Sequence, residues 1–461
     1  MSGLWTSDDL RAATGGRTGA ELAATGVATG VAIDTRAIAP GDLFIALRGE
    51  RRDGHDFVAD ALARGAAGAM VDRVPDGFPT DAPLLLVPDT LAGLAALGAY
   101  ARARTRARVI AVTGSVGKTT TKEMLRTMLA PQARVHAAEA SFNNEIGVPL
   151  TLARLPLDAE AAVVEIGMNH PGEIAPLARL ARPHVAVITA IAPAHIGQMG
   201  SLEAIADEKA AILGGVVPHG AAVLPGDSPL LPRLAAAAAG LRLFRFGTMA
   251  GAEARLISCA EDPDGSEIVA AIGGQEFAFR LAAPGRHMAM NALAALAAVT
   301  AAGFDPAAAA AALAGFAALP GRGAARRIAL AGGEALLFDE SYNASPASVR
   351  AALAVLGLQP AGRRIVVLGD MRELGDFGAA AHANLAEDVL AVADLVFTCG
   401  ELMRHLHDAL PVERRGAHAP DAAALAPLVA AAIAAGDAVL VKGSYASAMR
   451  TVVAALGREN G

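Results

Sequence analysis

The stretch Val109-Ile-Ala-Val-Thr-Gly-Ser-Val-Gly-Lys-Thr-Thr120 decides the fold. Its aliphatic start predicts a buried strand, and its glycines predict a tight turn. Beyond the turn, Met124, Leu125, Met128 and Leu129 recur at helical spacing. Strand, glycine turn and helix together open a βαβ unit. Gly114 and Gly117 let the backbone curl so that its N–H groups face a polyphosphate at the helix N-terminus. The loop Thr113, Gly114, Ser115, Val116, Gly117, Lys118, Thr119 and Thr120 is therefore expected to bind a nucleotide. Lys118 would place its charge on the β- and γ-phosphates, and the Thr119 hydroxyl would reach Mg²⁺. A strict phosphate loop of the longer type needs glycine where Val112 stands, so this is a shorter G-x-x-G-K-T form. The plainer alternative is a strand–helix turn with an exposed lysine.

Outward from this loop the same alternation repeats. Leu84–Val87, Ala162–Ile166, Val185–Thr189, Leu336–Asp339, Ile365–Gly369, Leu395–Cys399 and Val439–Val441 are short aliphatic runs, each followed by an alanine- and leucine-rich segment. That pattern predicts α/β units with mainly parallel sheets. With 461 residues, the chain has room for about three domains. Breaks are expected at the basic stretch 102–108, read as a linker or solvated helix end, and at Leu319-Pro320-Gly321. The resulting segments are 1–105, 106–319 and 320–461.

Composition narrows the class. Hydrophobic content of 54% with 18% charged residues excludes a disordered chain. The mean hydropathy of +0.41 reflects alanine, because aromatics make up only 4%. The alanine-rich stretches 288–303 and 422–436 are too short and too weakly apolar to predict a membrane span. Asp8, Asp9 and Arg11 interrupt the start before an apolar core forms, so no signal peptide is expected. Cys259 and Cys399 make neither a disulfide framework nor a zinc site. A net charge of −7 leaves no nucleic-acid footprint. A cytoplasmic protein is expected.

Three further residues carry chemistry. Glu165 ends a strand, where ligands of parallel sheets bind, so its carboxylate could face the phosphates. His195 follows the next strand and reads either as a ligand or as a capped loop residue. Lys209 falls on a helical stripe with Leu202, Ile205, Ala206, Ile212 and Leu213. A buried ammonium needs a partner or loses its proton. The alternatives are snorkelling past the helix edge, or carbamylation to an anionic metal ligand.

These residues sit in a longer series. Ile33-Asp-Thr-Arg36, Pro40–Gly49 and Asp53-Gly-His-Asp-Phe57 precede the phosphate loop. Asn143-Asn-Glu-Ile-Gly-Val-Pro149, Glu165–Glu173, Ala192-Pro-Ala-His195 and Lys209 follow it. The last are Gly285–Asn291, Pro320-Gly-Arg322, Asp339–Pro346, Gly369–Gly375 and Val441-Lys-Gly-Ser444. In this order, over nearly the whole length, the chain resembles the Mur ligases. Within them it is most similar to the branch that joins D-alanyl-D-alanine to UDP-N-acetylmuramoyl-tripeptide, a peptidoglycan precursor.

The resemblance implies three domains: an N-terminal α/β domain for the UDP end, a central ATPase, and a C-terminal Rossmann-like domain. It implies ATP and two Mg²⁺ ions, with Lys118 and Thr119 at the phosphates and Glu165, His195 and a carbamylated Lys209 at the second ion. Asn291 matches a residue facing adenine, and Arg322 and Asp339 match contacts to ATP. Asn143 and Asn144 match a motif where the acyl group is activated, and Asn343 matches a substrate position. Thr35, Arg36 and Asp53 fall in motifs assigned to the uridine end; the plainer readings for Arg36 and Asp53 are a turn salt bridge and a turn cap. A monomer acting on small molecules is implied.

Two residues depart from the family pattern, Met288 where asparagine is common and Tyr445 where arginine is common. The Asp-Asn-Pro-Arg motif of relatives that add the third residue is absent; Asp339-Glu-Ser-Tyr-Asn-Ala-Ser-Pro346 stands there. Folylpolyglutamate synthases begin close to their phosphate loop, whereas residues 1–108 precede this one. Asp339, Asp370 and Lys442 each end a strand and are expected on one rim that closes over the central domain.

Overall fold

The computed structural model describes residues 3–25, 27–79, 81–138 and 141–457, without the side chains of 23–25. Three large sheets follow one another along the chain, with a two-stranded antiparallel pair, Trp5–Thr6 and Val27–Ala28, near its start. The first has five strands in the order Arg17–Thr18, Leu84–Leu86, Gly68–Val71, Asp42–Ile45 and Gly30–Ala32, parallel except for the first pair. The second has nine strands, of which those from Val135–Ala137 to Ala254–Asp262 run parallel. An antiparallel extension, Gly265–Ile272 and Gln275–Leu281, completes it. The third has six strands, with only Ala324–Leu330 antiparallel to its neighbour. The chain is an α/β protein with mainly parallel sheets.

Register in the second sheet positions the site. Glu165 pairs with Val112, and Thr113 pairs with Ile188. The carboxylate and the phosphate loop therefore share one carboxyl edge. Val112 is a fully buried strand residue. The strand runs on to Thr113, which leaves room only for the shorter glycine loop. The helix that follows, Lys118–Leu129, buries Met124, Leu125, Met128 and Leu129 as its spacing required.

The alanine bias has a packing role. Helix Arg286–Ala302 buries Ala289, Ala292, Ala294, Ala295, Ala297, Ala298, Ala301 and Ala302. It joins the core that also holds the phosphate-loop helix and the inner face of the sheet. Small side chains let backbones approach closely, so alanine here fills a narrow layer at crystal-like density.

The stretch 102–108 ends a helix with Ala103, Arg106 and Arg108 exposed, but Arg102 and Arg104 turn inward. Helix Thr90–Arg104 packs Leu94, Leu97 and Ala101 into one core with Trp5, Leu150 and Ala153. Arg102 is buried, and its guanidinium donates to the carbonyls of Ala181 (2.7 Å) and Arg182 (2.5 Å) at the end of helix Ile174–Ala181. Arg104 lies over the Trp5 ring at 4.1 Å. These two guanidiniums cap carbonyls and cover an aromatic ring, so they are structural rather than solvated.

Candidate active site

One large cavity, of about 820 Å³, opens where the carboxyl edges of the second and third sheets face each other. Its size suits a small-molecule ligand. Ser115, Val116, Gly117, Lys118, Thr119 and Thr120 line one wall with Asn143, Asn144, Glu165, His195 and Asn291. Arg322, Glu340, Asn343, Arg372, Glu373 and Lys442 line the other. Thr113 and Gly114 lie behind the loop, outside the cavity wall.

Local geometry explains the glycines. Gly117 has φ +85°, and a Cβ there would stand 2.4 Å from Asn291 Oδ1. A Cβ on Gly114 would stand 1.9 Å from Thr189 Oγ1. Only glycine fits either position. Lys118 Nζ donates to Gly114 O at 2.8 Å, which folds the lysine back over its own loop. Burial lowers the Lys118 pKa, Glu165 opposes that shift, and Arg322 adds to it.

Glu165 is buried at 1% exposure and organises its wall. Its Oε2 accepts from Thr119 Oγ1 at 2.9 Å, and its Oε1 accepts from Asn143 Nδ2 at 2.8 Å. Hard oxygen donors at the foot of a phosphate loop fit Mg²⁺. Asn144 turns its Oδ1 to Gly147 N (2.9 Å) and so caps the next helix. Among the described residues no group of three His, Cys, Asp or Glu side chains is gathered as a metal cage. An ion held here needs Thr119, water, phosphate or a modified side chain as well.

Lys209 is the buried case. Its exposure is 1%, which excludes snorkelling. Ile205, Ala206, Ile212 and Leu213 share its core, but Leu202 at the start of the stripe is exposed. Burial and the charge of Lys118 push the Lys209 amine well below its ordinary pKa, with Glu208 opposing. Glu208 itself accepts from Gly172 N and Ile174 N, so it is committed elsewhere. An amine whose charged form is disfavoured by burial, with no hydrogen-bond partner among the described residues, is a better nucleophile for CO₂ than an exposed lysine. The residue fits a carbamate, although it does not itself line the cavity.

In the third sheet Asp339, Asp370 and Lys442 stand at the carboxyl ends of neighbouring strands as expected, and of the three Lys442 lines the cavity. Asp339 stays off the cavity, and its Oδ1 accepts from Ser341 N (3.1 Å) and Oγ (2.6 Å). Its neighbour Glu340 points in instead and pairs with Lys442 at 3.0 Å. Alternation along the strand puts adjacent side chains on opposite faces, and the run Leu336–Asp339 could not say which acid faced inward. Asp370 is buried behind the rim, accepting from Met403 N at 2.9 Å. Lys442 does reach the rim, where it also donates to Asn343 O.

Arg322 bridges the two walls. It donates to Ser141 Oγ (2.9 Å), which lies 3.3 Å from Thr119 Oγ1, and it stacks on Tyr342 at 4.0 Å. Tyr342 meets Tyr445, the departing residue, at 5.8 Å between centroids. Met288 lines the same cavity beside Asn291. Sequence reading passed over Ser141, Tyr342 and Glu373 as site residues. The latter two lie inside quoted motifs, and that was the available signal.

Thr35, Arg36 and Asp53 are not brought to this cavity. Thr35 and Arg36 lie in a single turn, where Arg36 is clamped bidentately on Asp34 and holds it down to about 2. Asp53 accepts from His55 and Arg73.

Comparison with known proteins agrees with this architecture. Residues 27–84 match the model of the Mur ligase family, catalytic domain, 112–299 the Mur ligase middle domain, and 326–445 the Mur ligase, glutamate ligase domain. The UDP-N-acetylmuramoyl-tripeptide–D-alanyl-D-alanine ligase of Escherichia coli is 37% identical, with 94% of each chain covered. The crystal structure of MurF from Acinetobacter baumannii superposes with a TM-score of 0.84 at 31% identity, covering 98% of both chains. MurF ligase of Thermotoga maritima in complex with ADP gives 0.78 at 27% identity, over 93% of this chain and 97% of that one. With such likeness along its whole length, the chain belongs to the Mur ligase family.

Proposed function

We propose that this enzyme joins D-alanyl-D-alanine to UDP-N-acetylmuramoyl-tripeptide at the expense of ATP, giving the pentapeptide precursor of peptidoglycan with ADP and phosphate. The observation that carries the reading is the shared cavity, in which the phosphate loop and Glu165 face Arg322, Asn343 and Lys442 across the domain junction. Segment 1–105 takes the uridine end, with Thr35, Arg36 and Asp53 as its contacts. Segment 106–319 takes ATP, and 320–461 closes the site and receives the dipeptide.

A free carboxylate forms an amide only after its oxygen becomes a better leaving group. The tripeptide's terminal carboxylate oxygen attacks the γ-phosphorus, ADP departs, and an acyl phosphate forms. The free amine of D-alanyl-D-alanine then attacks the acyl carbon, loses a proton, and phosphate leaves. Such transfer depends on positioning and charge neutralisation. Lys118 swings from Gly114 O to the β- and γ-phosphates. Asn291, already against Gly117, faces the adenine, and Arg322 reaches the phosphates from the far wall. Asn143 and Asn144 border the acyl group, and Asn343 borders the incoming dipeptide.

Thr119 and Glu165 would hold one Mg²⁺, and Glu165, His195 and carbamylated Lys209 a second. When bound, these ions screen the repulsion between a carboxylate and a triphosphate. Closure of the C-terminal wall keeps water from the acyl phosphate. Among the described residues no helix is long and apolar enough to cross a membrane. A monomer working in the cytoplasm on cellular ATP fits this chemistry.

Mass spectrometry of reactions pairing D-alanyl-D-alanine and ATP with a meso-diaminopimelate or an L-lysine UDP-tripeptide tests the proposal. One of them is expected to yield the pentapeptide mass; ATP consumption without amide product from either would refute it.

A further inference from the structure

Beside the cavity, the central and C-terminal domains meet at a tight patch. Helix Ile196–Met199 of the central domain sits against the loop 373–375 of the third domain. Gly197 N donates to Glu373 O at 3.1 Å. A Cβ on Gly197 would stand 2.7 Å from Gly375 N, and one on Gly375 would stand 2.8 Å from Gly197 Cα. Ile196 packs into the cores of both domains. Two glycines backbone to backbone, with a bridging isoleucine, make a specific dock.

Two residues at this dock carry backbone strain that side-chain chemistry must justify. His195 has φ +61° and Glu373 has φ +69°, the left-handed region that non-glycine residues avoid. Their side chains face each other across the junction. Glu373 Oε2 lies 2.6 Å from His195 Nδ1, and that nitrogen is buried. The two atoms are in ion-pair contact, although the approach is out of line for a straight N–H···O bond in this arrangement. A carboxylate only accepts, so the proton belongs on Nδ1 and the lone pair on Nε2.

From this contact we infer that Glu373 is the positioning residue of His195: the C-terminal loop fixes the imidazole tautomer and orientation, so the nitrogen offered to the cavity is set only when the two domains dock. This rests on the proposed role of His195 at the second ion. Ligating histidines characteristically donate their other N–H to a carboxylate, and loss of that partner weakens the metal. Here the partner comes from another domain. Lys118, His195 and Glu165 belong to the central wall, and from the loop 370–377 the Glu373 carboxylate meets His195 and feels the charge of Lys118. Metal affinity and domain docking thereby become one equilibrium.

The test measures Mn²⁺ binding by electron paramagnetic resonance, on enzyme loaded with UDP-tripeptide and a non-hydrolysable ATP analogue. His195→Ala defines the Mn²⁺ site in question. Glu373→Ala is expected to weaken that site by about 10–100-fold, the usual effect of removing a ligand's outer partner, while Glu373→Gln, which still accepts, stays within about threefold. Both replacements keep a Cβ, so the φ strain is the same, and Glu373 is half-exposed on a loop, so folding is preserved. Gly197→Ala, which blocks the dock without touching either side chain, should weaken the same Mn²⁺ site. Glu373→Ala binding as tightly as wild type, with His195→Ala weakened, overturns this inference alone. Wild-type binding by His195→Ala overturns the role of His195 and the inference together.

Discussion

The two domain junctions are built from opposite materials. Between the first and second domains Trp5 is fully buried, donates to Ala153 O at 2.9 Å, and shares a core with Leu94, Leu97, Ala101 and Leu150. Arg102 and Arg154 add hydrogen bonds to main-chain carbonyls across it. Between the second and third domains lies the cavity, spanned by Arg322 to Ser141 and Glu373 to His195, with apolar contact at Ile196. Apolar burial is non-directional and survives small shifts, whereas sparse polar bridges give way to ligands that offer better ones. The first junction should move as one body. The second is where substrates are proposed to enter and the walls to close.

The largest effect is expected at the first junction. Trp5→Ala removes a fully buried aromatic and should cost about 3–5 kcal/mol, read as an earlier denaturant midpoint. An unchanged midpoint would mean the junction is not fixed by this core. At the second junction, Lys118→Ala should lower kcat by about 10²–10³, the usual loss for one preorganised electrostatic group. Near-normal turnover would remove Lys118 from the chemistry. Lys209→Ala should lose about 10²-fold on the same grounds and recover partly with a short-chain acid that stands in for the carbamate. Intact mass showing an unmodified amine in bicarbonate, with no rescue, would argue for a structural lysine.

A pH titration separates the junctions further. His184 accepts from Val109 N at 2.9 Å beside the first junction. Burial, with Arg102, Arg108 and Arg182 adding, pushes it from 6.5 down to about 4. Its neutral form is favoured by folding, so its contribution is whole above pH 6.5 and fades as pH falls towards 4. His184→Gln should flatten the loss of stability in that window, and an unchanged profile would place the acid sensitivity elsewhere. The smallest effect is expected at Arg36, which is exposed and already paired with Asp34. Arg36→Ala should raise KM for the UDP substrate no more than about fivefold with kcat constant, as for uniform binding through an exposed charge. No change at all would leave Arg36 as a turn salt bridge.

The contrast also explains what was legible in the sequence. Period and punctuation found the phosphate loop, the strand ending in Glu165 and the helix of Lys209, because each is a local pattern read along one element. Lys209 stood out because a lysine on an apolar stripe is a conflict between local chemistry and burial. Glu340 and Asp339 are adjacent on one strand, and the inward face depended on pairing with Lys442, one hundred residues away in sequence but next to it in the sheet. Arg102 read as part of a linker or solvated helix end, because nothing nearby in sequence announces the carbonyls of Ala181 and Arg182. Glu373 was hidden for the same reason, since its partner lies in another domain.

The central claim is that the tripeptide carboxylate is activated as an acyl phosphate in the cavity between the second and third domains. Labelling that carboxylate with heavy oxygen and analysing the phosphate released during ligation tests this most directly. One labelled oxygen is expected in phosphate for each amide bond formed, with label transfer and amide formation slowed together in Lys118→Ala. Unlabelled phosphate alongside normal amide formation would contradict it.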